Sequence, residues 1–77
     1  MDLSFDAFNR LPHFEQEELV QMKASSLYAS KDFGEYVIHY FGLFDFVVEV
    51  YVFTETGKIA RFKAIPGDNA PSPFRED

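Results

Sequence analysis

Asp45-Phe46-Val47-Val48-Glu49-Val50-Tyr51-Val52-Phe53-Thr54, then Glu55-Thr56-Gly57, then Lys58-Ile59-Ala60-Arg61-Phe62-Lys63-Ala64-Ile65 is the stretch that decides the fold. Both long runs are rich in β-branched and aromatic residues and alternate with a period of two, the pattern of paired strands. With Glu55-Thr56-Gly57 as a three-residue loop, Gly57 takes the left-handed position that glycine adopts at little cost. Thr54 then opposes Lys58, and counting back sets Val52 against Ala60, Val50 against Phe62 and Val48 against Ala64. On the other face Phe53 meets Ile59, Tyr51 meets Arg61 and Glu49 meets Lys63. A two-residue loop would place valines opposite Arg61 and Lys63, so the three-residue register is expected.

Upstream of the hairpin, Glu35 to Phe41 reads as a further strand, preceded by a turn at Asp32-Phe33-Gly34. Ser25 to Lys31 reads as a weaker one, with Leu27 and Ala29 on one face. Before Ser25 the period changes to that of a helix. Ser4 is a good N-cap, and Leu3 is placed to pack on Phe8 as a hydrophobic staple. Phe5, Phe8 and Leu11 recur at helical spacing until Pro12, which ends this piece and starts another. Glu15, Glu17 and Glu18 suit the positive end of that second helix. Leu11, Phe14, Leu19 and Met22 fall within an arc of about 140°, the stripe expected to face the sheet, and Glu15 and Glu18 lie inside the same arc.

Two helical pieces followed by strands predict an α+β fold: an N-terminal helical pair packed on one face of a four-stranded antiparallel β-meander. Residues 1–65 form this single domain. Residues 66–77 hold three of the four prolines and no periodicity, and are expected to be a mobile acidic tail.

Seventy-seven residues leave room for one domain. The formal net charge is −6, and the acidity is uneven: residues 1–35 carry seven acids against three bases. No cluster of Lys and Arg exists to neutralise phosphates, so neither nucleic acid nor an anionic membrane is an expected partner. The most apolar stretch, Tyr36 to Phe53, is broken by His39, Asp45 and Glu49 and is no membrane span. The chain has no cysteine, which excludes disulfides and thiolate metal sites. With acids at Asp2 and Asp6 where a secretion signal needs a basic start, a cytoplasmic setting is expected.

No catalytic constellation stands out, and the chain is not expected to be an enzyme or to hold a cofactor or metal. His13 and Glu17 share a helix face but lack the further ligands a metal site needs. His39 has no serine partner in a nucleophile turn. Gly34, Gly42, Gly57 and Gly67 are spaced as turns, not as a phosphate loop.

The sheet stands above this background. Phe46, Val48, Val50 and Val52 need a cover, which the helices supply. The opposite face is expected to carry Val37, Phe41, Val47, Tyr51, Phe53 and Ile59, rimmed by Asp45, Glu49, Arg61 and Lys63. Antiparallel sheets covered on one side normally turn polar on the other, so an apolar second face marks an association surface. The expected function is a protein-interaction module that self-associates as a two-fold dimer or docks a protein partner there, with Val37, Val47, Tyr51 and Phe53 as anchors and Glu49 and Arg61 on the rim. The alternative is a small acidic inhibitor or antidote-type protein that neutralises a basic target through the Glu15/Glu17/Glu18 helix and the acidic tail.

Phe8-Asn9-Arg10-Leu11-Pro12-His13-Phe14-Glu15-Gln16, with Phe46-Val47-Val48-Glu49-Val50-Tyr51, resembles a group of short uncharacterised bacterial proteins. That group shares an F-x-x-L-P-x-x-E-Q helical start and an F-x-V-E-V strand. The resemblance spans residues 5–65, implies an α+β fold and assigns no activity or site residue.

Overall fold

A computed structural model describes residues 3–69. Helices α1 (Phe5–Asn9) and α2 (His13–Lys23) precede strands β1 (Ser25–Asp32), β2 (Tyr36–Leu43), β3 (Phe46–Phe53) and β4 (Ile59–Pro66), and a 3-10 turn spans Gly67–Asn69. The strands lie in the order β1-β2-β3-β4, each antiparallel to the next, and both helices pack on one face of this meander. The fold is the expected α+β arrangement.

Local chemistry explains the helix ends. Ser4 extends the chain before α1, and its Oγ accepts the Ala7 N–H at 3.1 Å. Pro12 has an extended backbone and stands just ahead of α2, where its carbonyl receives the Glu15 and Gln16 N–H groups. It is thus the cap residue rather than part of the first helical turn.

Two amides hold the helices in place. The Asn9 side chain donates to the Ala64 carbonyl at 3.0 Å and accepts the Ala64 N–H at 2.8 Å. It satisfies one residue of the edge strand β4 as a neighbouring strand would, blunting that edge. Gln16, buried beneath α2, donates to the Phe8 carbonyl at 2.9 Å and ties α2 to the end of α1.

The β3–β4 register runs as expected from Val48/Ala64 through Glu49/Lys63 and Val50/Phe62 to Tyr51/Arg61. It departs at the turn. Phe53 donates its N–H to the Lys58 carbonyl and accepts the Gly57 N–H, so the connection is four residues, Thr54 to Gly57, not three. Thr54 is held instead by the neighbouring turn, through its N–H to Glu35 and its hydroxyl to Gly34. A shift between Tyr51 and Val52 sets Val52 opposite Ile59 and leaves Ala60 as the extra residue. Gly57 keeps the left-handed backbone, with φ of +74°.

The β2–β3 connection is tighter than expected: only Phe44 and Asp45 lie between the paired Leu43 and Phe46. Gly42 therefore sits inside a strand, not at a turn. Leu27 packs over it, its Cδ2 lying 3.5 Å from where a Cβ would be, an ordinary van der Waals distance. Leu27 belongs to an irregular stretch of β1 between Ser26 and Ser30, where Tyr28 takes a φ of +57°.

Pairing also corrects the faces of β2. Val37 stands opposite Val52 and Phe41 opposite Val48, so both share the helix side. Ile59, opposite Val52, joins them. Tyr36, Ile38 and Tyr40 take the other side, opposite Phe53, Tyr51 and Glu49. Both alternations of β2 are apolar, so its own pattern could not choose between them.

The core on the helix side centres on Phe8, Leu43 and Val48, with Phe46, Val50, Phe62 and Ala64 around them. Ordered structure runs past residue 65: Pro66 pairs with Phe46, and the 3-10 turn packs on β3. The tail expected to be mobile lies, over residues 70–77, outside the described residues.

Candidate interaction surfaces

On the sheet face away from the helices, Val47 and Ile38 are each 5% exposed and Tyr40 2%. Leu27, Tyr36, Tyr51 and Ile65 pack over them. The rings of Tyr36 and Tyr51 lie 5.5 Å apart, Phe33 stacks on Tyr36 at 5.2 Å, and the Arg61 guanidinium sits 4.7 Å from the centre of the Tyr51 ring. The Tyr51 hydroxyl donates to Glu49 Oε1 at 3.1 Å. Tyr40 stands opposite Glu49 in the sheet, and its phenol pKa is pushed up to about 12, first by burial and then by the charge and hydrogen bonding of that carboxylate. The Tyr51 phenol is also raised, mainly by burial, while hydrogen bonding from Arg61 acts in the opposite direction.

This face is therefore apolar beneath and closed by the chain's own side chains. Of the expected surface residues, Val47 is there but buried, Glu49, Tyr51 and Arg61 form the cover, and Phe53 lies exposed at the rim. Val37, Phe41 and Ile59 are on the other side of the sheet, as their pairing requires.

Among the described residues, an open apolar surface lies on α2. The stripe expected to face the sheet does not: α2 buries Gln16 and Val20, with His13 beside Phe62 at 5.2 Å between ring centres. Leu11 and Leu19 reach the edge of the core, whereas Phe14 is 66% exposed and Met22 74%. Gln16 explains the orientation. Its bond to the Phe8 carbonyl turns the helix so that Gln16 and Val20 point inward and Phe14 and Met22 outward.

Between that flank and the β2–β3 turn lies a groove of about 440 Å³. Its apolar walls come from Leu3, Leu11, Phe14, Leu19, Met22 and Phe44, and its charged groups are Glu15, Glu18 and Lys23. Phe44 holds its place with a φ of +54°, a left-handed conformation that costs a bulky residue about 1–2 kcal/mol. Its ring meets Phe46 edge-on at 6.0 Å and borders the groove. The sequence reading missed Phe44 as a site residue; the signal it held was the pair of glutamates inside the apolar arc, with glutamine on the opposite face.

His39 lies exposed on the helix side of β2, opposite Val50. Among the described residues no three His, Asp or Glu side chains gather where an ion could be held. Among them, too, no helix is long and apolar enough to cross a membrane. No family model, no curated protein and no solved structure matches the chain.

Proposed function

We propose that this chain is a small protein-interaction module, acting in the cytoplasm, whose docking surface is the groove between α2 and the β2–β3 turn. The observation that carries this reading is the outward Phe14 and Met22, 66% and 74% exposed on a regular helix of a chain with little core to spare. Burying side chains of this size is worth about 1.5–3 kcal/mol each, a sizeable fraction of a net stability of about 5–15 kcal/mol. A left-handed phenylalanine in the tightest turn adds a second local cost on the same groove. Local costs of this kind collect where a surface is used. The sheet face first expected to dock a partner no longer supports that role, because Leu27 and the tyrosines already occupy it.

The test compares two immobilised chains, wild type and the double variant Phe14→Ser/Met22→Ser, with thermal unfolding of both. A protein held by the first and released by the second, at unchanged stability, supports docking through this groove. Identical retained sets from two equally stable chains remove it.

A further inference from the structure

We infer that the α2 groove receives an amphipathic helix of a partner protein with Lys or Arg flanking its apolar face. The inference rests on the reading of the groove as a docking surface and adds the chemistry of its occupant.

The groove is walled by side chains. Its apolar groups on α2 are Phe14 and Met22, about two helical turns apart, with Leu19 between them, Leu11 just ahead of the helix and Phe44 on the opposite wall. This spacing fits the ridges of a second helix about three turns long. The polar groups along it are carboxylates and one ammonium, so little is available to pair with an open peptide backbone. An extended segment would bury unsatisfied N–H groups, whereas a helix brings its backbone already hydrogen-bonded.

Charge then selects among helices. Glu15 and Glu18 stand within the apolar stripe, and an apolar occupant would strip water from both. Lys or Arg beside the occupant's apolar ridge restores what is lost and reaches along the groove on flexible stems. A second copy of this chain fits poorly. Across a two-fold axis each copy would bring two carboxylates and one ammonium, on bodies that each carry a net charge of −6.

The probes are two synthetic amphipathic peptides of identical apolar pattern, one of Leu and Lys and one of Leu and Glu, titrated into the whole chain by calorimetry. The Leu/Lys peptide is expected to bind one-to-one. The Leu/Glu peptide and the Phe14→Ser/Met22→Ser variant should each weaken binding at least about tenfold. Glu15→Gln/Glu18→Gln should flatten the salt dependence of the Leu/Lys affinity. Equal affinity for both peptides, lost in the Phe14/Met22 variant, overturns the basic occupant and leaves the groove as a docking surface. Binding of either peptide that ignores the Phe14/Met22 variant, or binding of neither, overturns the groove itself. A concentration-dependent doubling of the native mass that this variant abolishes assigns the groove to a second copy and also overturns the inference.

Discussion

The tyrosine face of the sheet and the outer flank of α2 carry side chains of similar bulk and apolarity, yet they end in different states. On the sheet, residues on neighbouring strands stand about 5 Å apart, so long side chains lie across their neighbours. Tyr36 and Tyr51 do so over Ile38 and Val47, and the wet ends of the cover go to Glu49 and Arg61. The α2 flank lies at the border of the fold, and among the described residues its neighbours across the groove are Leu3 and Phe44. Among the described residues, Phe14 and Met22 stay 66% and 74% exposed. An apolar face is a docking surface only when the chain lacks the side chains to close it, and that depends on what stands beside the face.

The sharpest way to break the comparison is a charge at equivalent apolar positions. Val47→Asp should destabilise the chain by at least about 3 kcal/mol, because the carboxylate would be buried without a partner. Phe14→Asp should cost under about 1 kcal/mol. Urea unfolding of both variants checks this. A mild effect at Val47 would mean that the tyrosine cover opens readily and that the sheet face is a surface after all.

Alkaline pH probes the same closure. Tyr40 has a phenol pKa near 12 in the folded chain against an ordinary value of 10. Between these values the unfolded chain loses the proton and the folded chain keeps it. The contribution of Tyr40 is therefore complete below pH 10 and is lost as pH rises toward 12, at a slope of up to about 1.4 kcal/mol per pH unit. Unfolding midpoints across that range should fall, and Tyr40→Phe should reduce the fall. An unchanged profile in Tyr40→Phe would show that water reaches the phenol.

Next in size are the amides that set the helices. Gln16→Ala removes a buried hydrogen bond to the Phe8 carbonyl, which keeps the Leu11 N–H, at an expected cost of about 1–2 kcal/mol. Asn9→Ala should cost a similar amount and also open the β4 edge at Ala64, seen as concentration-dependent light scattering absent from Gln16→Ala. If Gln16→Ala were neutral, packing alone would be orienting α2, and the outward flank would need another cause.

These amides mark where sequence legibility ends. The element order, the meander and the central register from Val48/Ala64 to Tyr51/Arg61 follow from short-range patterns, because period, turn residues and pair chemistry agree there. The faces of β2 were not legible, since Tyr36/Ile38/Tyr40 and Val37/His39/Phe41 are both apolar enough to be inward. The bulge at Ala60 follows from Thr54 being held by Gly34 and Glu35, twenty residues or so away along the chain, and no local pattern encodes it. The α2 orientation was misread for a related reason. Hydrophobicity alone turns Phe14 and Met22 inward, but a hydrogen bond from Gln16 to a carbonyl of another helix turns them out. Of the site, the acidic residues inside the stripe were visible, while Phe44 was not, because a turn of two residues with an aromatic at positive φ runs against turn preference.

That preference suggests a smaller test. Phe44→Gly relieves the left-handed strain while losing the contact with Phe46, and its net effect on stability should stay within about 1 kcal/mol. The same ring removed from the core, by Phe8→Ala, should cost about 3–5 kcal/mol. Binding of the Leu/Lys peptide should nevertheless weaken in Phe44→Gly, since one groove wall is gone. A loss of several kcal/mol of stability would make Phe44 a structural residue and take it out of the site.

The smallest expected effect on stability bears most directly on the contrast between the two faces. Phe14→Ser and Met22→Ser replace side chains that are already mostly in water, so each should change stability by no more than about 0.5 kcal/mol. For a domain of this size that is a shift of a few degrees at most in the thermal midpoint. Tyr51→Ser, on the closed face, removes the ring that Arg61 and Tyr36 lean on and should lower the midpoint several times further. If the α2 substitutions proved as costly as Tyr51→Ser, Phe14 and Met22 would be holding the fold together, and the flank would be as finished as the tyrosine face.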